Sequence, residues 1–288
     1  MMKNYRELLE FGKSRLEEQG IENPRLDAWF LMEYVFQISR TWYFLHEEEQ
    51  PGEKEEKQYI ELIEKRGAHI PLQQLTHEAY FYGLKFYVDE NVLAPRQDTE
   101  ILVEQVLENL PGDQELEILD MCTGSGCILL SILANRPKAR GIGADLSEKA
   151  LAVAEKNGRD LGIKARWIHS DLFEKIQEQY DVIVSNPPYI RTDVIQGLME
   201  EVRLHEPYMA LDGHDDGLYF YRKIIAQAGD YLKPEGLLAF EIGYDQGEAV
   251  SSLMKTQGYT QVHVFKDLAG LDRVVTGKKS GGKICLIN

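Results

Sequence analysis

The four residues Asn186, Pro187, Pro188 and Tyr189 close the apolar run YDVIVS and set one carboxamide, two imino-acid rings and one aromatic ring side by side. Neither proline can donate a backbone hydrogen bond, and each holds the residue before it extended. The chain therefore leaves the run on a stiff corner. That corner suits the handling of a planar nitrogen, such as a carboxamide or an exocyclic amino group, whose lone pair is delocalised and poorly nucleophilic. Two acceptors that take both of its hydrogens would fix its plane and stabilise positive charge as it loses planarity. The side-chain oxygen of Asn186 and the backbone carbonyl of Pro187 can supply them, the prolines keep them rigid, and Tyr189 can pack on the flat group. A bare Pro-Pro would mark only a strand-ending turn.

A second constellation is LDMCTGSGCI. Gly124 and Gly126 follow an apolar strand and precede a helix, so the backbone can bend sharply and offer the helix's unpaired N–H groups to a ligand. Asp120, at the end of that strand, is expected to aim at the same crevice. The third glycine of a dinucleotide fingerprint would fall at position 129, which is Leu129. Asp145, in GADLS, stands about 20 residues on, where a ribose-binding carboxylate belongs, although capping of the helix near Ser147 is its ordinary alternative. Asp171, in HSDLF, ends a third strand. Carboxylates at three strand ends, with no phosphate-binding lysine motif and no dinucleotide fingerprint, fit a ligand with ribose and amino groups but no phosphates. S-adenosylmethionine has that character.

Strands and helices must carry these residues to one place. From Thr99 onward the pattern alternates. TEILVEQVLENL, CILLSILANR, EKALAVAEKNG and GLYFYRKIIAQAGDYL read as helices, with Ser147 as an N-cap for the third. ELEILDMC, ARGIGADLS, ARWIHSD, YDVIVSN and GLLAFEIG read as strands. Such alternation implies a parallel α/β sheet covered on both faces. Before it, AYFYGLKFYVDEN reads as a β-hairpin. Residues 1–75 read as a small helical bundle: Tyr5, Leu8, Leu9 and Leu16 recur at helical spacing, Asn23-Pro24 opens a second helix, and Tyr59, Ile60, Leu62 and Ile63 mark a third that ends near Gly67. The expected organisation is a helical domain (1–75), a hairpin linker (76–94) and a Rossmann-like α/β domain (95–288).

Composition narrows the partners. The 288 residues carry a formal net charge of −16 with no dense Lys/Arg run, which disfavours direct binding to nucleic acid. Cys122, Cys127 and Cys285 have neither disulfide-framework nor metal spacing, and the seven histidines are scattered. No metal site is expected. His205, His214 and the Glu206-Pro207 turn read as loop or rim residues. The N-terminus is charged throughout and no apolar stretch approaches bilayer length, so a cytoplasmic protein without membrane contact is expected.

The NPPY stretch after the fourth strand and LDMCTGSG after the first together resemble the class I S-adenosylmethionine-dependent methyltransferases that modify planar nitrogens. VLAPRQDTEILVE, EPYMALDGHDDGLYFYRKI, FEIGYDQGEAV and DLAGLDRVVTGK narrow the resemblance to the release factor glutamine methyltransferases, the HemK/PrmC family, over almost the whole chain. The resemblance implies methylation of the side-chain nitrogen (N5) of the glutamine in the Gly-Gly-Gln motif of peptide chain release factors. It implies that Cys122, Thr123, Gly124, Ser125, Gly126, Asp145, Leu172 beside Asp171, and Asn186 line the cofactor, and that Asn186, Pro187, Pro188 and Tyr189 hold the glutamine. It also implies a seven-stranded sheet, mostly parallel with one antiparallel strand near the C-terminus. The family loop usually reads Asp-x-Gly-x-Gly-x-Gly, and Cys122 takes the place of its first glycine. Gln97 replaces a proline, and Ala94 a larger aliphatic residue. The weighed alternatives are a glutamine methyltransferase of a ribosomal protein, an amino-methyltransferase of nucleic-acid bases, and a non-catalytic adaptor. The expected state is a monomer whose helical domain recognises the protein substrate.

Overall fold

The computed structural model describes residues 3–281 apart from 111 and 113; Cys285 lies outside the described residues. The chain divides into two compact units, Met1–Glu78 with Met199–His205, and Ala79–Leu198 with Glu206–Asn288. Among the described residues no helix is long and apolar enough to cross a membrane.

The first unit is helical: α1 (Tyr5–Glu18), α2 (Pro24–Phe36), α3 (Arg40–His46), α4 (Glu53–Gly67) and α5 (Leu72–Thr76). Asn4 and Glu7 form a reciprocal capping box that starts α1. Pro24 fits the first turn of α2, but Asn23 makes no side-chain cap. Leu8 and Leu16 of α1, Leu31 and Met32 of α2, and Tyr59 and Ile63 of α4 are fully buried together. Two of the helices, α3 and α5, are too short to show a period in the sequence; α3 is fixed by its Ser39 cap and by Tyr43, whose ring meets Trp29 edge-on at 5.4 Å.

The second unit opens with a hairpin of β1 (Ala79–Phe81) and β2 (Leu84–Phe86). Its two-residue turn holds Tyr82 at φ 50° and Gly83 at φ 75°, the positive pair that matches strand twist. Phe81 and Phe86 join the core of this unit, so the hairpin packs with the sheet domain. Then follow α6 (Glu100–Asn109), β3 (Glu117–Met121), α7 (Cys127–Asn135), β4 (Arg140–Asp145), α8 (Glu148–Leu161), β5 (Arg166–His169) and β6 (Tyr180–Ser185). Beyond β6 come the short helices α9 (Thr192–Ile195), α10 (Glu200–His205) and α11 (Tyr208–Leu211), then α12 (Tyr219–Tyr231), β7 (Leu232–Glu241), α13 (Gly247–Thr256), β8 (Tyr259–Lys266) and β9 (Asp272–Lys279).

Seven strands form one sheet in the order β5-β4-β3-β6-β7-β9-β8; β9 runs antiparallel to both neighbours and the other pairs are parallel. Leu119, Ile183, Leu238 and Phe240 face one apolar layer, while Ile118, Val182, Val184, Leu237 and Ala239 face the other. Strand order reverses at the β3/β6 boundary, and α/β sheets bind ligands beyond the strand ends at such a point.

Helix α10 packs into the first unit although the sequence places it within the sheet domain. Arg66, only 4% exposed, donates to Asp27 Oδ2 over 2.7 Å and to the Glu201 carboxylate on α10. Gln74 Nε2 donates to the His205 carbonyl over 2.8 Å. His205, which the sequence leaves at a loop or rim, thus belongs to the helical unit.

Candidate active site

Register brings the two chemical motifs level. Met121 of β3 pairs with Ser185 of β6, and the Ser185 hydroxyl donates to the Met121 carbonyl over 2.6 Å. Cys122 and Asn186 follow directly, each one residue beyond the end of its strand. Their chains diverge there into the glycine turn and the proline corner.

The turn after β3 is held from beneath. Asp120 is fully buried and its Oδ2 accepts the Thr123 hydroxyl over 2.6 Å. Side chains alternate along a strand, so Asp120 shares the face of Ile118 and not that of Leu119 and Met121. Asp120 braces the loop from inside the core, and its Oδ1 has no partner among the described residues. Burial raises its pKa to about 7. Gly126 sits at φ 78°, and a Cβ there would stand 2.9 Å from the Trp167 ring. Gly124 is at φ 54° with open space where its Cβ would be. Cys122 adopts φ 61°, the left-handed conformation its usual glycine would take freely. Its half-buried side chain packs beside the apolar layer, and burial raises the thiol pKa. The Cys127 thiol is pushed up to about 12 for the same reason, so neither sulfur is an activated nucleophile.

Asp145 ends β4 with both oxygens engaged. Oδ2 accepts the Gly124 N–H and Oδ1 the Ser147 N–H, each over 2.9 Å. Ser147 caps α8 through the Ala150 N–H. Burial raises the Asp145 pKa, while these N–H groups oppose the rise. Asp171 lies two residues beyond β5, and the adjoining Leu172 is held at φ 46° with its carbonyl accepting the Ser170 hydroxyl over 2.7 Å.

One cleft joins these groups. Cys122, Thr123, Gly124, Ser125, Asp145, Asp171, Leu172, Asn186 and Pro188 line it; Asp120, Gly126, Pro187 and Tyr189 do not. Among the described residues its charged lining is Asp145, Asp171 and Arg96, and Arg96 is paired with the buried Glu206 carboxylate. Asn186 makes no side-chain hydrogen bond among the described residues, so its carboxamide is available to a ligand. The Tyr189 hydroxyl donates to Glu241 Oε1 over 3.2 Å, which fixes the edge of its ring.

Several lining residues carry no chemical signal of their own in the sequence, namely Asn91–Pro95, Pro207, Met209, Ala210 and Phe220. Asn157 is another omission. Its Nδ2 donates to the Tyr87 and Ser125 carbonyls and its Oδ1 accepts the Tyr87 N–H, tying the segment after the hairpin to the glycine turn. The stretches VLAPRQDTE and EPYMALDG supplied the family pattern without revealing that they enclose the cleft.

Residues 94–203 match the methyltransferase small domain family. A methyltransferase from Pyrococcus furiosus shares the fold, with a TM-score of 0.53 at 18% identity over 75% of this chain and 98% of that one. The sheet order, the glycine turn and the carboxylate-lined cleft define an S-adenosylmethionine-dependent methyltransferase. Residues 7–76 match the PrmC N-terminal domain. The release factor glutamine methyltransferase of Caulobacter vibrioides is 40% identical over 271 residues, 93% of this chain and 94% of that protein. That of Clostridium acetobutylicum is 39% identical over 273 residues, 93% and 96% of the two chains. The chain belongs to the release factor glutamine methyltransferase family.

Proposed function

We propose that this chain methylates the side-chain amide nitrogen, N5, of the glutamine in the Gly-Gly-Gln motif of peptide chain release factors. The observation that carries the reading is the free Asn186 carboxamide, set by the β3/β6 register beside the glycine turn in a cleft whose unpaired charges are carboxylates.

S-adenosylmethionine fits this cleft by its donor chemistry: Asp145 and Asp171 can accept from hydroxyl and amino groups, no unpaired cation among the described lining residues opposes a sulfonium, and the open side of Gly124 admits close approach. When bound it supplies an electrophilic methyl group. Cys122–Gly126, Asp145, Asp171, Leu172 and Asn186 are the residues assigned to hold it, with Asp120 supporting the turn from below. The Asn186 oxygen and the Pro187 carbonyl accept the two amide hydrogens of the glutamine, aiming its nitrogen and stabilising the charge that develops on it. Pro188 and Tyr189 set the corner and its flat wall.

The helical unit, residues 1–75, is assigned to recognition of the protein substrate, because choosing one glutamine takes more surface than a single cleft. The protein is assigned to the cytoplasm, as a monomer. The test is methyl transfer from labelled S-adenosylmethionine to purified release factor, beside a copy carrying Gln→Ala in its Gly-Gly-Gln loop. Label on the native factor alone supports the reading. Label on neither, with cofactor still bound, overturns it and directs the search to ribosomal proteins.

A further inference from the structure

A buried carboxylate stands behind the corner, outside the machinery described so far. Glu241, the last residue of β7, is 3% exposed. Its Oε1 accepts the Tyr189 hydroxyl over 3.2 Å. Its backbone carbonyl accepts the Tyr221 hydroxyl over 2.8 Å, which fixes the strand end itself. Five residues on, Gln246 grips the other end of the same tyrosine. Its Nε2 donates to the Tyr189 carbonyl over 3.1 Å and to the Gly217 carbonyl over 3.2 Å, while its Oε1 accepts the Gly243 N–H over 2.9 Å. Gly213 and Gly217 press on the same backbone: a Cβ at Gly217 would fall 2.4 Å from the Tyr189 carbonyl oxygen.

A buried carboxylate left with one unpartnered oxygen is costly to the fold, and Glu241 Oε2 has no partner among the described residues. Filling this space with an apolar side chain would remove that cost, yet would leave the Tyr189 hydroxyl unheld. We propose that Glu241 and Gln246 are positioning residues: they clamp Tyr189 at its hydroxyl and its carbonyl, and so fix the proline corner that presents Asn186 and Pro187. This inference rests on the glutamine-methylating reading. It adds residues that touch neither substrate nor cofactor and act through Tyr189.

The experiment compares Glu241→Gln, Glu241→Ala, Tyr189→Phe and the double variants in full-length protein, measuring kcat and KM for release factor and cofactor affinity by calorimetry. Glu241→Ala and Tyr189→Phe are each expected to lower kcat about ten- to a hundredfold, the rate equivalent of one charge-assisted hydrogen bond. Cofactor affinity and KM should stay near wild type. Glu241→Gln keeps an acceptor oxygen for Tyr189 and should recover most of kcat. In the Tyr189→Phe background, neither substitution at Glu241 should lower kcat further. Losses that multiply overturn the clamp, as does Glu241→Gln failing as badly as Glu241→Ala, or cofactor affinity falling in step with kcat. Tyr189→Phe and Glu241→Gln keep the core filled, so they close the cycle even where Glu241→Ala does not fold. A wild-type chain that leaves glutamine unmethylated overturns the reading of function instead, and does so before any variant is made.

Discussion

Asp145 Oδ2 accepts the backbone N–H of Gly124 over 2.9 Å, so the end of β4 holds the glycine turn that follows β3. Its other oxygen accepts the Ser147 N–H at the start of α8. A carboxylate offers about four lone-pair sites and these two bonds use only half of them, so Asp145, which also lines the cleft, keeps acceptor capacity. Asp145→Ala is expected to weaken cofactor binding at least tenfold, corresponding to a charged hydrogen bond of about 1.5–3 kcal/mol. It should also lower the thermal midpoint. Calorimetry and thermal denaturation on one preparation check both.

Asn186→Ala removes an acceptor required as the amide nitrogen becomes charged. Loss of one such group costs about 10²–10³ in kcat. Cofactor affinity should change far less. Single-turnover methylation beside equilibrium binding separates the two, and full activity in the variant would end the amide-holding role.

Cys122 sits where a glycine would be unstrained. A left-handed conformation costs a non-glycine residue about 1–2 kcal/mol, and the thiol's packing beside the apolar layer offsets part of it. Cys122→Gly is expected to be near neutral, within about 1 kcal/mol, since relief of strain opposes lost packing and added chain entropy. Cys122→Val, branched at Cβ, should destabilise by more than about 2 kcal/mol. Urea unfolding of the three proteins ranks them.

Asp120 gives stability a pH dependence of definite sign. Its folded-state pKa is raised from 3.8 to about 7, so between those values the folded chain holds a proton that the unfolded chain has released. Stability then falls as pH rises through that window. Burial shifts Asp145 and Glu241 in the same direction. Asp120→Asn, which keeps an acceptor for Thr123, should match wild type near pH 4 and exceed it by about 1–3 kcal/mol above pH 7. A thermal midpoint difference that does not grow between pH 4 and 8 would contradict this.

The helical unit exposes Phe44 and Leu45 on α3, at 70% and 76%. Replacing both by serine should raise KM for folded release factor several-fold and leave cofactor binding unchanged, as a docking surface requires. These point variants are a cleaner probe than removal of residues 1–75, because α10 packs on Arg66 of this unit and would lose its support. Equal losses of methylation and cofactor binding would point to a purely structural role.

Much of this protein is local and therefore written in its sequence. Apolar strands alternating with amphipathic helices specify a parallel sheet, and prolines and glycines act on their own backbone wherever they stand. The corner at Asn186–Tyr189, the turn at Cys122–Gly126 and the cap at Ser147 are legible for that reason. Strands β8 and β9 were legible only through family resemblance, since β8 is mostly exposed and shows little regular alternation. Pairings across the chain are a different matter. Tyr189 meets Glu241 across 52 positions, Tyr87 meets Asn157 across 70, and Arg96 meets Glu206 across 110. No periodicity encodes such meetings. Even the inward turn of Asp120 depends on which strand residue faces which layer, and that is settled only when the sheet has helices on both sides. The sequence determined the chemical groups and the local bends that display them; tertiary packing decided which carboxylates face the cleft and which hold it in shape, because burial and register are properties of the assembled sheet.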